Sequence, residues 1–146
     1  MNNNEIVKIV IKGCSGFCQI SEAYEDKVTL TEDSFSYEHK PVEESEINPS
    51  VNWKYKTSSI DFKVQFEKIS KLAIKTLKKI FEYECTDVGE ITIDVTFADK
   101  TKLRESYLLP SEEFKELFHE IKVICPSKKI PEVLKTSEDY ERLRVI

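Results

Sequence analysis

Glycine is scarce in this sequence, with three residues in 146, and this scarcity argues against the glycine-rich nucleotide sites. Gly13 and Gly16 form a Gly-x-x-Gly pair after an apolar segment. The pair lacks the Lys-Ser/Thr sequence of a P-loop and the third glycine of a dinucleotide-binding fingerprint. It also carries none of the basic residues expected in the GXXG loop of a KH domain. We therefore interpret it as a turn.

Long apolar runs are absent as well. The longest, such as residues 9–11, have a few residues, whereas a membrane-spanning helix needs ~20. The first residues carry neither the basic stretch nor the small-residue cleavage site of a signal peptide. The sequence alone thus predicts a soluble, cytoplasmic protein without a membrane segment.

The cysteines number four: Cys14, Cys18, Cys85 and Cys125. Thiols of a cytoplasmic protein are normally reduced. Cys14 and Cys18 have the spacing C-x-x-x-C rather than the C-x-x-C of redox sites, and neither of the other two has a Cys or His partner nearby in sequence, as zinc sites do. We predict free thiols, no metal and no cofactor, and leave open a redox or metal role of Cys14 and Cys18.

Acidic residues outnumber basic ones by 27 to 22, giving a net charge of -5. This excess argues against nucleic acid and anionic membranes as partners. The clearest basic cluster lies on one side of a predicted long helix but holds no arginine, the residue that best recognises phosphates and bases. We expect it to be a solvated surface; its members are Lys68, Lys71, Lys75, Lys78 and Lys79.

Strand patterns dominate the first third of the chain. Residues 5–12, EIVKIVIK, are apolar and β-branched on both faces, which predicts a strand near the centre of a sheet. We expect Gly13 to end this strand, and a weaker strand to follow at about 17–24.

A hairpin comes next, because apolar and polar residues alternate on both sides of a short turn. A two-residue loop at 32–33 pairs Leu30 with Phe35 and Val28 with Tyr37, so that all four share one face. Another alternating segment, from Val51 to Thr57, predicts a further strand.

Helical periodicity is strongest from about Ser59 to Glu82. We expect Ser58 to cap the helix and Asp61 to interact favourably with its dipole. Its apolar stripe consists of Phe62, Phe66, Ile69, Ala73, Leu77 and Ile80.

A second hairpin begins after Gly89 and needs a three-residue loop at 98–100, since only that length sets Val95 opposite Leu103. The same register puts Asp94 across from Arg104 as an exposed ion pair. A second helix, with apolar residues recurring from 114 to 125, ends at Pro126.

Runs of strands separated by helices predict an α+β fold: an antiparallel sheet of about five to six strands with two helices packed on one face. We expect one domain over residues 1–146, with 1–4 and about 127–146 peripheral or partly flexible.

The two histidines are the natural candidates for general base chemistry. His39 shares a strand face with Phe35 and Tyr37, where we expect a hydrogen-bonded histidine at the core edge rather than a catalyst. His119 lies opposite the apolar face of its helix, and Glu116-x-x-His119 is a single copy of a motif that di-iron bundles need twice. The sequence therefore predicts no catalytic residue.

Ser15, Gly16 and Phe17 form a Ser-Gly-Phe loop after the first strand. Together with a later helix and a C-terminal hairpin-helix unit, this loop resembles the arrangement in small bacterial emfourin-type protease inhibitors. The resemblance implies a protease-inhibitor-like protein as one alternative function.

Our principal expectation is a non-enzymatic interaction module that binds a protein or peptide partner through loops. The candidate contacts are Gly16 and Phe17 in the glycine loop, and Glu43, Glu44 and Glu46 in an acidic, turn-rich loop that we expect to be exposed and mobile. The other alternative is an enzyme or small-ligand-binding domain whose site is scattered along the chain. No feature of the sequence indicates the oligomeric state.

Overall fold

The computed structural model describes residues 5–14, 23–46, 48–77, 90–108, 115–126 and 131–134. The elements within these ranges are β1 (Ile6–Cys14), β2 (Tyr24–Thr31), β3 (Ser34–Pro41), β4 (Val51–Lys56), α1 (Ile60–Leu77), β5 (Glu90–Phe97), β6 (Lys102–Leu108), α2 (Lys115–Val123) and a 3-10 turn (Glu132–Leu134). The six strands form one antiparallel sheet in the order β4-β3-β2-β1-β5-β6. The predicted α+β fold is confirmed.

The core lies between one face of this sheet and the helices. Alternate strand residues such as Ile9, Val28 and Ile93 pack with Phe66 of α1 and Leu117 of α2 in a single apolar cluster. Val133 and Leu134 belong to the same cluster, although they fall in the segment expected to be peripheral. We call the opposite side of the sheet, with the side chains of the intervening residues, the outer face.

β1 is central, between β2 and β5, as predicted. The expectation that Gly13 ends it is wrong, because the strand continues to Cys14 and Gly13 pairs with Asp26 and Ile91. Gly13 is buried on the core side, and the 3-10 turn packs against β1 and β2. A residue without a side chain leaves room for this close approach.

The first hairpin has the predicted register, with Leu30 opposite Phe35 and Val28 opposite Tyr37. All four side chains are buried. The weaker strand expected at about 17–24 falls mostly outside the described residues; β2 itself begins at Tyr24.

The second hairpin also has the predicted register, with Val95 opposite Leu103. Lys100 closes the loop with φ of 72°, a conformation that favours glycine. Asp94 does lie across from Arg104. The expected ion pair between them is not among those that the described residues form. Oδ1 of Asp94 is instead buried without a hydrogen-bond partner.

Helix α1 begins at Ile60, and its cap lies one residue later than predicted. The cap is Ser59, whose hydroxyl accepts a hydrogen bond from Phe62 N–H at 3.4 Å and whose carbonyl accepts one from Lys63 N–H at 3.3 Å. Ser58 was therefore the wrong cap. The stripe from Phe62 to Ala73 is buried as predicted; Ile80 and the predicted helix end lie outside the described residues.

Candidate functional site

A buried polar cluster closes the open end of the first hairpin. It contains Asp26 on β2, Tyr37 and His39 on β3, and Asn48 in the following loop, all buried. Asp26 and His39 are directly opposite in the register. Nδ1 of His39 lies 2.5 Å from Oδ1 of Asp26. The ring of Tyr24 packs against the imidazole at a centroid distance of 5.0 Å.

The other carboxylate oxygen of Asp26 has two donors. Oδ2 accepts hydrogen bonds from the Tyr37 hydroxyl at 2.9 Å and from the Val133 N–H at 3.0 Å. The second of these links strand β2 to the 3-10 turn, 107 residues later in the chain. One side chain thus holds together the hairpin and the C-terminal part of the described fold.

The orientation of Asn48 determines where the protons lie. Its Nδ2 donates to the Ala23 carbonyl at 3.0 Å, so its Oδ1 faces Nε2 of His39 at 2.7 Å. Because an amide oxygen only accepts, Nε2 carries a proton. A single further proton then joins Nδ1 of His39 to Oδ1 of Asp26. The pair is either a carboxylate with an imidazolium or a carboxylic acid with a neutral imidazole, and its net charge is zero in both cases.

Burial raises the pKa of Asp26 above its ordinary value of 3.8, because the ionised carboxylate loses its hydration. The hydrogen bonds from Tyr37 and His39, the charge of His39 and the hydrogen bond from Val133 N–H all oppose this rise. The cluster therefore stabilises a carboxylate that burial alone would strongly disfavour.

These contacts fit a structural role rather than catalysis. The Asp26 side chain is 0% exposed and that of His39 8%, and both imidazole nitrogens are already hydrogen-bonded. A general base needs a free lone pair within reach of substrate. The prediction of a hydrogen-bonded histidine at the core edge is confirmed for His39.

Sequence analysis placed Tyr37 on the same face as His39 but missed Asp26 and Asn48, although Asp26 was within its reach. The predicted hairpin register, continued toward the open end, places Asp26 opposite His39 on the buried face. Asn48 and Val133 had no comparable indication, because neither belongs to a periodic segment.

The outer face of the sheet has a different chemistry. Its described side chains include eight cations and three carboxylates: Lys8, Lys12, Lys27, Lys40, Lys54, Lys56, Lys102 and Arg104 against Glu25, Glu38 and Asp94. No described helix covers this face, since both helices pack on the core side. A protein with a net charge of -5 therefore carries a basic surface.

An open groove of about 410 Å³ lies on the outer face. It is lined by Lys12, Gly13, Glu25, Asp26, Lys27, Glu38, Lys40 and Thr92. Asp26 contributes main chain, because its side chain is fully buried on the other side. Lys12 and Lys27 are directly opposite each other, and among the described residues neither has a carboxylate within 4.0 Å.

The acidic loop is exposed at its predicted contact residues, Glu43, Glu44 and Glu46. Its ends are anchored to Ala23, whose carbonyl accepts hydrogen bonds from Val42 N–H at 2.9 Å and from the Asn48 side chain. Gly16 and Phe17, the other predicted contact residues, lie outside the described residues. The exposed carboxylates thus belong to a loop whose two ends are hydrogen-bonded to the same carbonyl.

The remaining candidates have ordinary surface environments. His119 is exposed, and Lys68 of the helix cluster forms an ion pair with Glu120 at 2.8 Å, while Lys78 and Lys79 lie outside the described part of the chain. Where the structure describes the chain, no three potential metal ligands come together. Cys125 is half-buried and is not part of a disulfide; the other three thiols are not described.

A second cavity, of about 390 Å³, lies between the β4 edge, the start of α1 and the end of α2. Tyr55, Phe62, Gln65 and Ile124 are among its lining residues. Among the described residues that line it, Asp61 is the only carboxylate and there is no histidine. It therefore offers no acid-base pair for a reaction.

Comparison with known proteins adds no family. No protein-family model matches the chain, and no curated protein matches it. The resemblance to emfourin-type inhibitors gains no support from either comparison. No helix among the described residues is long and apolar enough to cross a membrane.

Proposed function

We propose that this protein is a non-enzymatic interaction module that binds a protein or peptide partner on the outer face of its sheet. The observation that carries the proposal is the open, charged groove over β1, β2 and β3, on the side of the sheet opposite the described helices. Exposed groups on a rigid sheet keep fixed positions, which lowers the entropy lost when a partner binds.

The arrangement of titratable groups supports binding over catalysis. Perturbed pKa values mark active sites when they occur in an accessible cleft. In the part of the chain that the structure describes, the raised carboxyl pKa is that of Asp26, whose side chain is buried in the core. The loops with Gly16 and Phe17, and with Glu43, Glu44 and Glu46, remain proposed additional contacts.

A selection from displayed short random peptides tests the proposal. We expect enriched peptides whose binding perturbs the backbone amide resonances of β1, β2 and β3 in NMR spectra of the labelled protein. Peptides that perturb only the resonances of residues lining the cavity between β4, α1 and α2 would place the binding site at that cavity. A selection that enriches nothing would contradict the proposal.

The enzymatic alternative needs a separate experiment. A broad screen for hydrolase and transferase turnover is expected to show no activity that depends on His39 or His119. Turnover that disappears in His119→Ala, a variant of an exposed residue outside the buried cluster, would overturn the non-enzymatic assignment.

A further inference from the structure

We infer that the partner presents an acidic, extended segment, and that this segment lies across the outer face over Lys12 and Lys27. The inference rests on the proposed function, since it names the chemistry of the partner that the module binds. It depends on three features of the outer face: its charge, the position of two of its lysines, and the absence of aromatic side chains from its described members.

The charge of the outer face is opposite to that of the whole chain. The described side chains of this face include eight cations and three carboxylates, although acidic residues are in excess overall. Such segregation creates a local positive potential that attracts an acidic partner and repels a basic one.

Lys12 and Lys27 lie on the two middle strands of the outer face. They are cross-strand neighbours on β1 and β2, and like charges in that position destabilise a sheet. Both are exposed, and neither has a described carboxylate within 4.0 Å. A carboxylate from a partner would remove this repulsion. The repulsion that destabilises the free protein would therefore favour binding.

The neighbouring groups favour an acidic peptide over a nucleic acid. Glu25 and Glu38 lie beside the two lysines in the same groove, where they would repel a continuous row of phosphates. No aromatic side chain is among the described members of the outer face, so bases would have no stacking platform. An extended peptide instead directs every second side chain toward the sheet, so acidic residues at alternate facing positions can lie over the lysines while neutral residues lie opposite the glutamates.

Fluorescence anisotropy with a labelled peptide that has glutamate at every fourth residue and serine elsewhere tests the inference. We expect binding that weakens as salt is added, because the attraction is electrostatic. The variant Lys12→Glu/Lys27→Glu should bind at least roughly tenfold more weakly, and Lys12→Gln/Lys27→Gln should fall between it and the unmodified protein.

The matched control is Lys71→Glu/Lys75→Glu, which makes the same change in net charge on the exposed side of α1. We expect it to bind within about twofold of the unmodified protein, since the substitutions are remote from the groove. Trp53, the single tryptophan, gives a fluorescence check that each variant is folded.

Three outcomes would overturn the inference: equal weakening by the α1 control, tighter binding of a single-stranded oligothymidylate than of the acidic peptide, or no binding of the acidic peptide. If random-peptide selection nevertheless yields non-acidic binders on β1 to β3, the interaction module stands and only the acidic partner is wrong. If that selection also yields nothing, the proposed function fails as well.

Discussion

The buried cluster around Asp26 makes a sharp prediction about two substitutions at one position. Asp26→Ala removes the acceptor for three donors: the Tyr37 hydroxyl, the Val133 N–H and Nδ1 of His39. Asp26→Asn keeps the shape of the side chain and removes its charge. We expect the alanine variant to be strongly destabilised and the asparagine variant to be nearly as stable as the unmodified protein.

The asparagine variant can satisfy every hydrogen bond of the cluster. Its amide oxygen, in place of Oδ2, accepts from Tyr37 and Val133, and its amide nitrogen, in place of Oδ1, donates to Nδ1 of a neutral imidazole. His39 keeps its proton on Nε2 for Asn48, as the geometry already requires. We therefore expect a change in the free energy of unfolding of at most about 1 kcal/mol.

The alanine variant leaves buried donors without partners. Each unsatisfied buried group costs ~1–3 kcal/mol, and breaking a buried charged pair by removing one partner typically costs ~3–5 kcal/mol in total. We expect a loss in that range. It is a large part of the ~5–15 kcal/mol that stabilises an ordinary domain, so the alanine variant should be close to unfolding.

The stability of the asparagine variant should also depend on pH differently from that of the unmodified protein. The pKa of Asp26 is raised from 3.8 in the folded state, so the stability that its protonation contributes is present below that value and is lost as pH rises through the raised pKa. The asparagine variant has no such titration. Its stability relative to the unmodified protein should therefore increase between about pH 4 and neutral pH.

Urea denaturation followed by Trp53 fluorescence measures these changes. The indole packs beside Phe35 and Tyr37, at ring-centroid distances of 5.6 and 5.9 Å, so its emission reports the integrity of the hairpin. The reasoning would be refuted if Asp26→Asn were as unstable as Asp26→Ala at neutral pH. It would also be refuted if Asp26→Ala changed stability by less than about 0.5 kcal/mol.

Four further substitutions, one of them a control, test local features by urea denaturation. Ser59→Ala should cost about 1 kcal/mol because it removes the cap of α1, whereas Ser58→Ala should be neutral; the reverse result would restore the cap expected from sequence. Lys100→Gly should stabilise the second hairpin by up to about 1 kcal/mol, since φ of 72° disfavours a residue with a side chain; a loss of stability would contradict this. Gly13→Val should lower the free energy of unfolding by ~1–3 kcal/mol, because the new side chain would crowd the 3-10 turn. An unchanged urea midpoint would show that the space beside Gly13 can hold a side chain.

Local patterns predicted the parts of the fold that depend on near neighbours. Both hairpin registers follow from alternation and loop length, and they are correct. The cap of α1 was misplaced by one position, because Ser58 and Ser59 have equal capping chemistry and only the chain path distinguishes them. The bond from Val133 N–H to Asp26 was beyond prediction, because it depends on how a segment without periodicity folds back onto the sheet.

The basic surface was hidden from sequence analysis for a different reason. Lysines alternate with apolar residues in several strands, and each strand alone indicates only a solvated side. The groove arises from the strand order, which places β1 between β2 and β5 and so brings Lys12 beside Lys27 and Thr92. Sequence analysis instead drew attention to the lysines of the long helix, because they recur along one side of a single predicted element.

Protection of the sheet edges accounts for the lysines on the edge strand but not for those on the inner strands. Thr57 N–H bonds to the Asp33 carbonyl, and the alternation of an antiparallel ladder then directs the main-chain groups of Lys54 and Lys56 away from β3, toward the open edge. Lysines at such positions discourage pairing with another chain. Lys12 and Lys27 are on strands that are paired on both sides, where no edge needs protection. Glu38 lies opposite Lys27 on β3, but the like charges of Lys12 and Lys27 also face each other across β1 and β2. Under the proposal, a partner's carboxylate accounts for that pair of like charges.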